Sequence, residues 1–257
     1  MSKLRSFCAI ARLTAAEAVR RPACLLLTLA CVYATVLMPM LLMHNLGDAP
    51  RLARDGGLAF HFVLGLILTV ALASSALSRE VRGGTAAALL SKPVGRSLFY
   101  VAKVAGVSFV VIGYSCCVLP AVLAAERIAE QFESTGGVGR YVTDWQTGVM
   151  LLAAPAVALV AAAFVNYRRR RPFPSAAFAF LLVTLWAAVL LAGFFSRDGR
   201  WAPYALRLSL ATATAGGLIT LALLVLGTFA FAFSTRWGAA PTLMGCVAVF
   251  ILGLMSD

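Results

Sequence analysis

Apolar positions in this chain come in long unbroken runs, not in the alternation of a half-buried strand or the single stripe of a surface helix. Seven runs stand out, at about 23–43, 58–78, 104–125, 147–166, 173–195, 208–234 and 239–255, separated by polar or basic stretches. Roughly 20 apolar residues in a helix cross a hydrocarbon core of about 30 Å, and a helix apolar on all sides needs lipid or protein around it. The pattern therefore predicts an all-α, polytopic transmembrane helical bundle of about seven spans, the last being the shortest.

Residues 1–21 follow a different pattern. Leu4, Phe7, Cys8 and Ala11 fall along one helical face, and Lys3, Arg5, Arg12, Arg20 and Arg21 supply positive charge. An amphipathic elbow helix lying on the inner leaflet fits this arrangement; a plain cytoplasmic extension of the first span is the alternative. Within the spans, Pro39, Pro120 and Pro155 each remove a helix hydrogen bond. Ala154, Ala158 and Ala162 form a small-xxx-small stripe suited to close helix packing. Trp145, Trp201 and Trp237 fall at span ends, where an interfacial aromatic belt is expected.

Composition agrees with this reading. The chain is 61% hydrophobic and 12% charged, with a mean hydropathy of +0.91, whereas an ordinary soluble domain is roughly a quarter charged. Net charge is +12, so its placement matters. With the N-terminus inside, the cytoplasmic segments hold fifteen of the 22 Lys and Arg residues, including Arg168–Arg171, with only Glu17 and Glu80 as acids. The outer segments hold the other seven basic residues and eight acids. That asymmetry follows the positive-inside rule, so the partner it points to is the lipid bilayer and not nucleic acid.

Familiar catalytic patterns are missing. The chain contains no GxxxxGK[ST] phosphate loop, no HExxH and no GxSxG. Its six cysteines, including the vicinal pair Cys116–Cys117, lie in or beside apolar runs without a CxxC pair and read as small buried hydrophobes. His44 and His61 fall near the outer ends of spans and read as interfacial polar groups. No metal, cofactor or catalytic residue is expected. The seven predicted spans contain no Asp, Glu, Lys or Arg, and His61 lies three residues into its span. An ion-coupled carrier normally keeps such groups as relays, so any driving energy is expected to enter from the cytoplasmic face.

One loop reads as a motif. After the second span the chain runs from Ser78 through Arg79, Glu80, Gly83, Gly84 and Thr85 to Leu89, Leu90, Ser91, Lys92, Pro93 and Arg96. The two glycines break the span, Thr85 can cap a short helix, and Ala86–Leu90 is a strong helix-forming run. Pro93 disfavours helix at Lys92, which closes the segment after about two turns. The loop 79–103 is thus expected to hold a short, rigid helix against the membrane with Leu89 and Leu90 presented beside cations. An ordinary basic connector is the plainer reading.

The series Glu80, Gly84–Thr85, Leu89–Leu90–Ser91, Pro93, Arg96 and Lys103 resembles the signature of type-2 ATP-binding-cassette permeases. The order of elbow, two spans, loop and third span extends the resemblance over about the first 125 residues. It implies a permease subunit of an ATP-driven exporter in the cell (inner, cytoplasmic) membrane, not itself an enzyme, with these nine residues in the coupling loop. The implied partners are a separate cytosolic ATPase and a second permease subunit, identical or different. A non-transporting membrane scaffold or accessory subunit is the alternative from another class, and a membrane enzyme is a third. The family's usual six spans with both ends inside differ from the seven counted. The pair flanking Arg168–Arg171 reads as an addition, and Ser234–Trp237 with Met244–Met255 resembles an internal helix pair, so a missing final span is expected.

Topology is directly checkable. Cysteine introduced at Ser134 is expected to react with an impermeant thiol reagent from outside the cell, while cysteine at Ser91 is protected until the membrane is opened. The reverse pattern would invert the arrangement and remove the coupling reading of the loop.

Overall fold

The computed structural model describes residues 3–41, 48–82, 95–135, 138–170, 172–196, 200–201, 203–204 and 209–255, without the side chains of 3, 77–82, 96, 133–135 and 138–140. Among them are eight helices: α1 (Lys3–Val19), α2 (Pro22–Leu41), α3 (Ala49–Arg82), α4 (Arg96–Ile128), α5 (Trp145–Arg169), α6 (Phe173–Ala192), α7 (Leu210–Ser234) and α8 (Ala239–Leu254). Six of them, α2 to α7, are long and apolar enough to cross a membrane. The run at 239–255 forms α8, whose 16 residues extend about 24 Å, short of a bilayer core. The protein is a multi-pass membrane-type helical bundle.

Two features depart from the sequence expectation. The apolar runs 58–78 and 104–125 are only the middles of α3 and α4, which continue through Arg51, Arg54 and Asp55 at one end of α3 and Glu126 and Arg127 at one end of α4. Straight-chain charged residues are good helix formers, so an apolar run ending does not end a helix. A small antiparallel hairpin, β1 (Gln131–Thr135) with β2 (Val138–Val142), also stands between α4 and α5, with Gln131 opposite Val142 and Thr135 opposite Val138. Phe132 and Tyr141 pack edge to face across it, their ring centroids 5.3 Å apart.

Helix α4 is the centre of the bundle. Two thirds of its most apolar stretch is buried, against one third for α5, α6 and α7. Its own Tyr114 is fully buried, as are Leu68, Leu151, Leu181, Leu223 and Phe231 of other helices. The outward faces remain apolar, with Phe109 71%, Val160 70% and Leu218 65% exposed. In water such a surface would be a continuous aggregation site, whereas in a bilayer it is the solvated face. The stripe Ala154, Ala158 and Ala162 is buried, and Ala162 packs with Leu25 of α2 and Ala177 of α6.

Several hydroxyls within the spans are satisfied locally. Thr28, Thr69 and Thr220 donate to the carbonyls of Cys24, Gly65 and Gly216, one turn back. Pro120, which has no N–H, leaves the Cys116 carbonyl without its helical donor. Trp186 of α6 supplies one: its indole Nε1–H donates to Cys116 O at 3.0 Å. The proline defect in the central helix is thus repaired by a neighbouring helix, as a low-dielectric surround requires.

The end of the bundle that carries the hairpin is tied by a buried charge. Asp144 caps α5, accepting from Thr147 N at 2.9 Å and Thr147 Oγ1 at 2.7 Å. Its carboxylate, 1% exposed, also accepts from Arg127 Nε at 2.7 Å, and Arg127 Nη2 donates onward to Phe195 O at 2.6 Å, beyond α6. Beside it, Glu126 accepts from Thr212 of α7 at 2.8 Å, and Arg54 of α3 approaches it at 3.8 Å.

Asp144→Ala would leave Arg127 largely buried without its counter-charge and is expected to cost about 3–5 kcal/mol. Trp186→Phe keeps the ring but orphans one carbonyl and should cost about 1–3 kcal/mol. Thermal unfolding in detergent, followed by size-exclusion chromatography, should rank the two variants in that order. Equal midpoints for Asp144→Ala and the parent would show that the network does not stabilise the bundle.

Candidate functional site: the root of the 79–103 loop and a buried histidine

Two cations converge on α3 where its apolar stretch ends. Arg21, in the break between α1 and α2, donates from Nη2 to Ser75 O at 3.2 Å. Lys103, two turns into α4, donates from Nζ to Ala76 O at 3.1 Å. Each carbonyl has two lone pairs, so these bonds can add to the helical ladder without breaking it. Lys103 is only 6% exposed, and its ammonium lies 5.2 Å from the centroid of the Phe99 ring, one turn earlier. A buried ammonium needs such compensation, because desolvation penalises the charged form.

Helix α1 is a separate helix, broken from α2 at Arg20–Arg21, and it packs chiefly on α4. The contact is close because Gly106 has no side chain: a Cβ there would stand 2.6 Å from Ala11 O and 2.8 Å from Thr14 Cβ. Of the apolar face expected on this segment, Phe7 and Ala11 are half-buried, while Leu4 and Cys8 are exposed. Thr14 and Ala18 complete the buried stripe. The inward face is set by packing on α4, and Leu4 and Cys8 are left for the surroundings.

Of the nine loop residues singled out from sequence, the structure gives full detail for Lys103 alone. Glu80 lies in the last turn of α3 and Arg96 opens α4, both as backbone. Gly84, Thr85, Leu89, Leu90, Ser91 and Pro93 lie outside the described residues, as does His44. Arg21 was counted only as a positive charge of the elbow. Its long side chain and position at a helix break were the available signal for a carbonyl-seeking cation.

His61 corrects the reading of an interfacial histidine near a span end. Because α3 begins at Ala49, His61 falls inside the packed bundle and is fully buried. Its Nε2 lies 2.9 Å from Ser115 Oγ, and the Tyr114 hydroxyl donates to His61 O at 3.1 Å. The other ring nitrogen, Nδ1, is buried without a protein partner, as is Thr35 Oγ1 on α2. An ionisable group therefore stands deep within the bundle, where the sequence reading put it only three residues into a span. The legible signal was a Tyr–Ser step in α4 placed among apolar residues.

A comparison of the chain with known protein families, curated proteins and solved structures finds no match.

The anchoring of the loop root generates an expectation of its own. Lys103→Met keeps the length and apolar stem of the side chain but removes the donor to Ala76 O. Backbone amides at 77–82 are expected to exchange hydrogen at least about ten-fold faster, since a bond from a charged donor contributes about 1.5–3 kcal/mol. Arg12→Met, on the exposed face of α1, serves as the control and should leave exchange there unchanged. Unaltered exchange in the Lys103 variant would show that the root is held by other means.

Proposed function

We propose that this chain is the permease subunit of an ATP-driven membrane transporter resembling the type-2 ATP-binding-cassette class, acting as an exporter in the cytoplasmic membrane. In this reading it supplies the translocation path, pairs with a second permease subunit, and binds a separate cytosolic ATPase that hydrolyses the nucleotide. The observation that carries the reading is the spacing of Glu80, Gly84, Thr85, Leu89, Leu90, Ser91, Pro93, Arg96 and Lys103 from the end of α3 through the connecting segment into α4. The loop's mechanical setting supports it. Its departure from α3 is held by Arg21 and Lys103, and the same α4 that receives the chain also carries α1. A force applied to a short helix between these roots would pass into α3 and α4, which pack directly on each other.

In the proposed roles, Leu89 and Leu90 form the apolar docking surface, Thr85 and Pro93 bound the helix, and Glu80 links it to the span. A scaffold that merely co-localises with other proteins has no need for a helix of this design, and ATPase stimulation separates the two readings. Each docked leucine is worth about 1.5–3 kcal/mol, so Leu89→Asp with Leu90→Asp is expected to weaken ATPase binding by at least about a hundred-fold. Membrane insertion and protein level should stay near parental values. Glu80→Ala should lower transport-linked ATP hydrolysis more than it lowers copurification. Full recovery of the ATPase with the double-aspartate variant would sink the docking role of the loop.

A further inference from the structure

At the same end of the bundle as the root of the 79–103 loop, a groove of about 410 Å³ lies between α5 and α6. Its walls are Val165 and Arg169 from α5 and Ser175, Ala176, Ala179 and Phe180 from α6. Apart from Arg169 and Ser175 the lining is apolar, and the two alanines leave the room that larger side chains would fill. Ser175 Oγ donates to Pro172 O at 3.0 Å, so its proton is already committed. That leaves Arg169 as the polar group on the groove wall with donors to offer.

Arg169 does not stand alone. Arg170 ends α5 in the left-handed conformation, with φ of 49°, and its N–H bonds to Asn166 O at 2.9 Å. The chain then turns at once through Pro172 into α6, which holds Arg168, Arg169 and Arg170 together at the groove's end. All three are exposed, and among the described residues none has an acidic partner. Adjacent unpaired cations repel each other, and an anion relieves that repulsion. The apolar walls of the groove itself, Val165, Ala176, Ala179 and Phe180, suit an anion that carries hydrocarbon.

We propose that the α5–α6 groove binds an anionic phospholipid, its phosphate on Arg169 with Arg168 and Arg170 alongside, and its chain along Val165, Ala176, Ala179 and Phe180. The guanidinium offers two parallel donors to two phosphate oxygens, and the apolar walls take the acyl stem. This site is independent of the transporter reading, since it uses none of the loop residues.

The test uses the full chain purified in detergent and incubated with equimolar phosphatidylglycerol and phosphatidylcholine, with retained lipid counted by native mass spectrometry. Preferential retention of phosphatidylglycerol is expected. Arg169→Gln should lower it about five-fold, the effect of one interfacial cation, and leave phosphatidylcholine unchanged. Ala179→Trp fills the groove without altering charge and should also abolish the preference. Ala179→Leu provides the same test should the tryptophan variant fail to elute as a single species. Excess inorganic phosphate should not displace the lipid. Equal retention of both lipids by the parent, or full phosphatidylglycerol retention by the Ala179 variants, would overturn the site. Displacement by phosphate alone would do the same, by assigning the arginines to a free anion.

Discussion

Asp144 and Lys103 are the two side chains of ordinarily full charge that are buried among the described residues, and they stand at opposite ends of the bundle. Neither could remain there alone, because an unpaired charge in a low-dielectric surround costs several kcal/mol. Each therefore dictates what surrounds it. Asp144 draws in Arg127 and Thr147, and Arg127 in turn reaches the chain beyond α6. Lys103 draws in the carbonyl at the edge of α3 and the face of Phe99. Between them the bundle is held by packing on α4, with hydroxyls and one indole N–H meeting backbone carbonyls that the solvent cannot serve.

The two ends differ in how they are tied. At the hairpin end, side-chain contacts of carboxylates with guanidinium groups and a hydroxyl join α3, α4, α5 and α7, and Arg127 reaches the backbone carbonyl of Phe195 after α6. At the loop end, Arg21 and Lys103 fasten α3 through its backbone carbonyls. A network of paired charges has one good geometry and resists displacement. A cation on a carbonyl can slide to the next carbonyl of the helix while keeping a bond of similar strength. The hairpin end thus holds its helices mainly through paired charges, and the loop end holds α3 through single cations on its carbonyls.

Much of this was legible in the chain. Runs such as 173–195 and 208–234 are apolar on every side, so their length alone announces α6 and α7, and the Ala154–Ala162 stripe gave its packing face directly. Helix ends were not legible from hydropathy, because Arg54, Glu126 and Arg127 are good helix formers that extend α3 and α4 where the apolar signal has stopped. Misplacing the start of α3 also misplaced His61, turning a packed residue into an interfacial one. The hairpin was invisible for a different reason. Its five-residue strands carry little alternation, and the helices joined at its base bring them together. Of the loop, the sequence supplied the spacing and the structure supplied the anchors; Arg21 could not be foreseen, since its target at Ser75 lies 54 residues away along the chain.

The burial of Lys103 bears most directly on how such a bundle could receive work. A lysine at a membrane boundary normally extends its ammonium into water, and its flexible stem makes that cheap. Here the ammonium is instead turned inward to Ala76 O and Phe99, and the side chain is 6% exposed. That orientation gives up hydration, so the contact persists only while α3 and α4 keep their spacing. Moving the two helices apart at this end would let the ammonium return to water, recovering hydration as the bond is lost. The opposing changes make the separation less costly than rupture of an apolar contact of equal area. Arg21 at Ser75 follows the same logic from the α1–α2 break. The loop end therefore combines a defined resting geometry with cations that regain hydration when α3 and α4 separate, which suits the force-receiving role proposed for the loop.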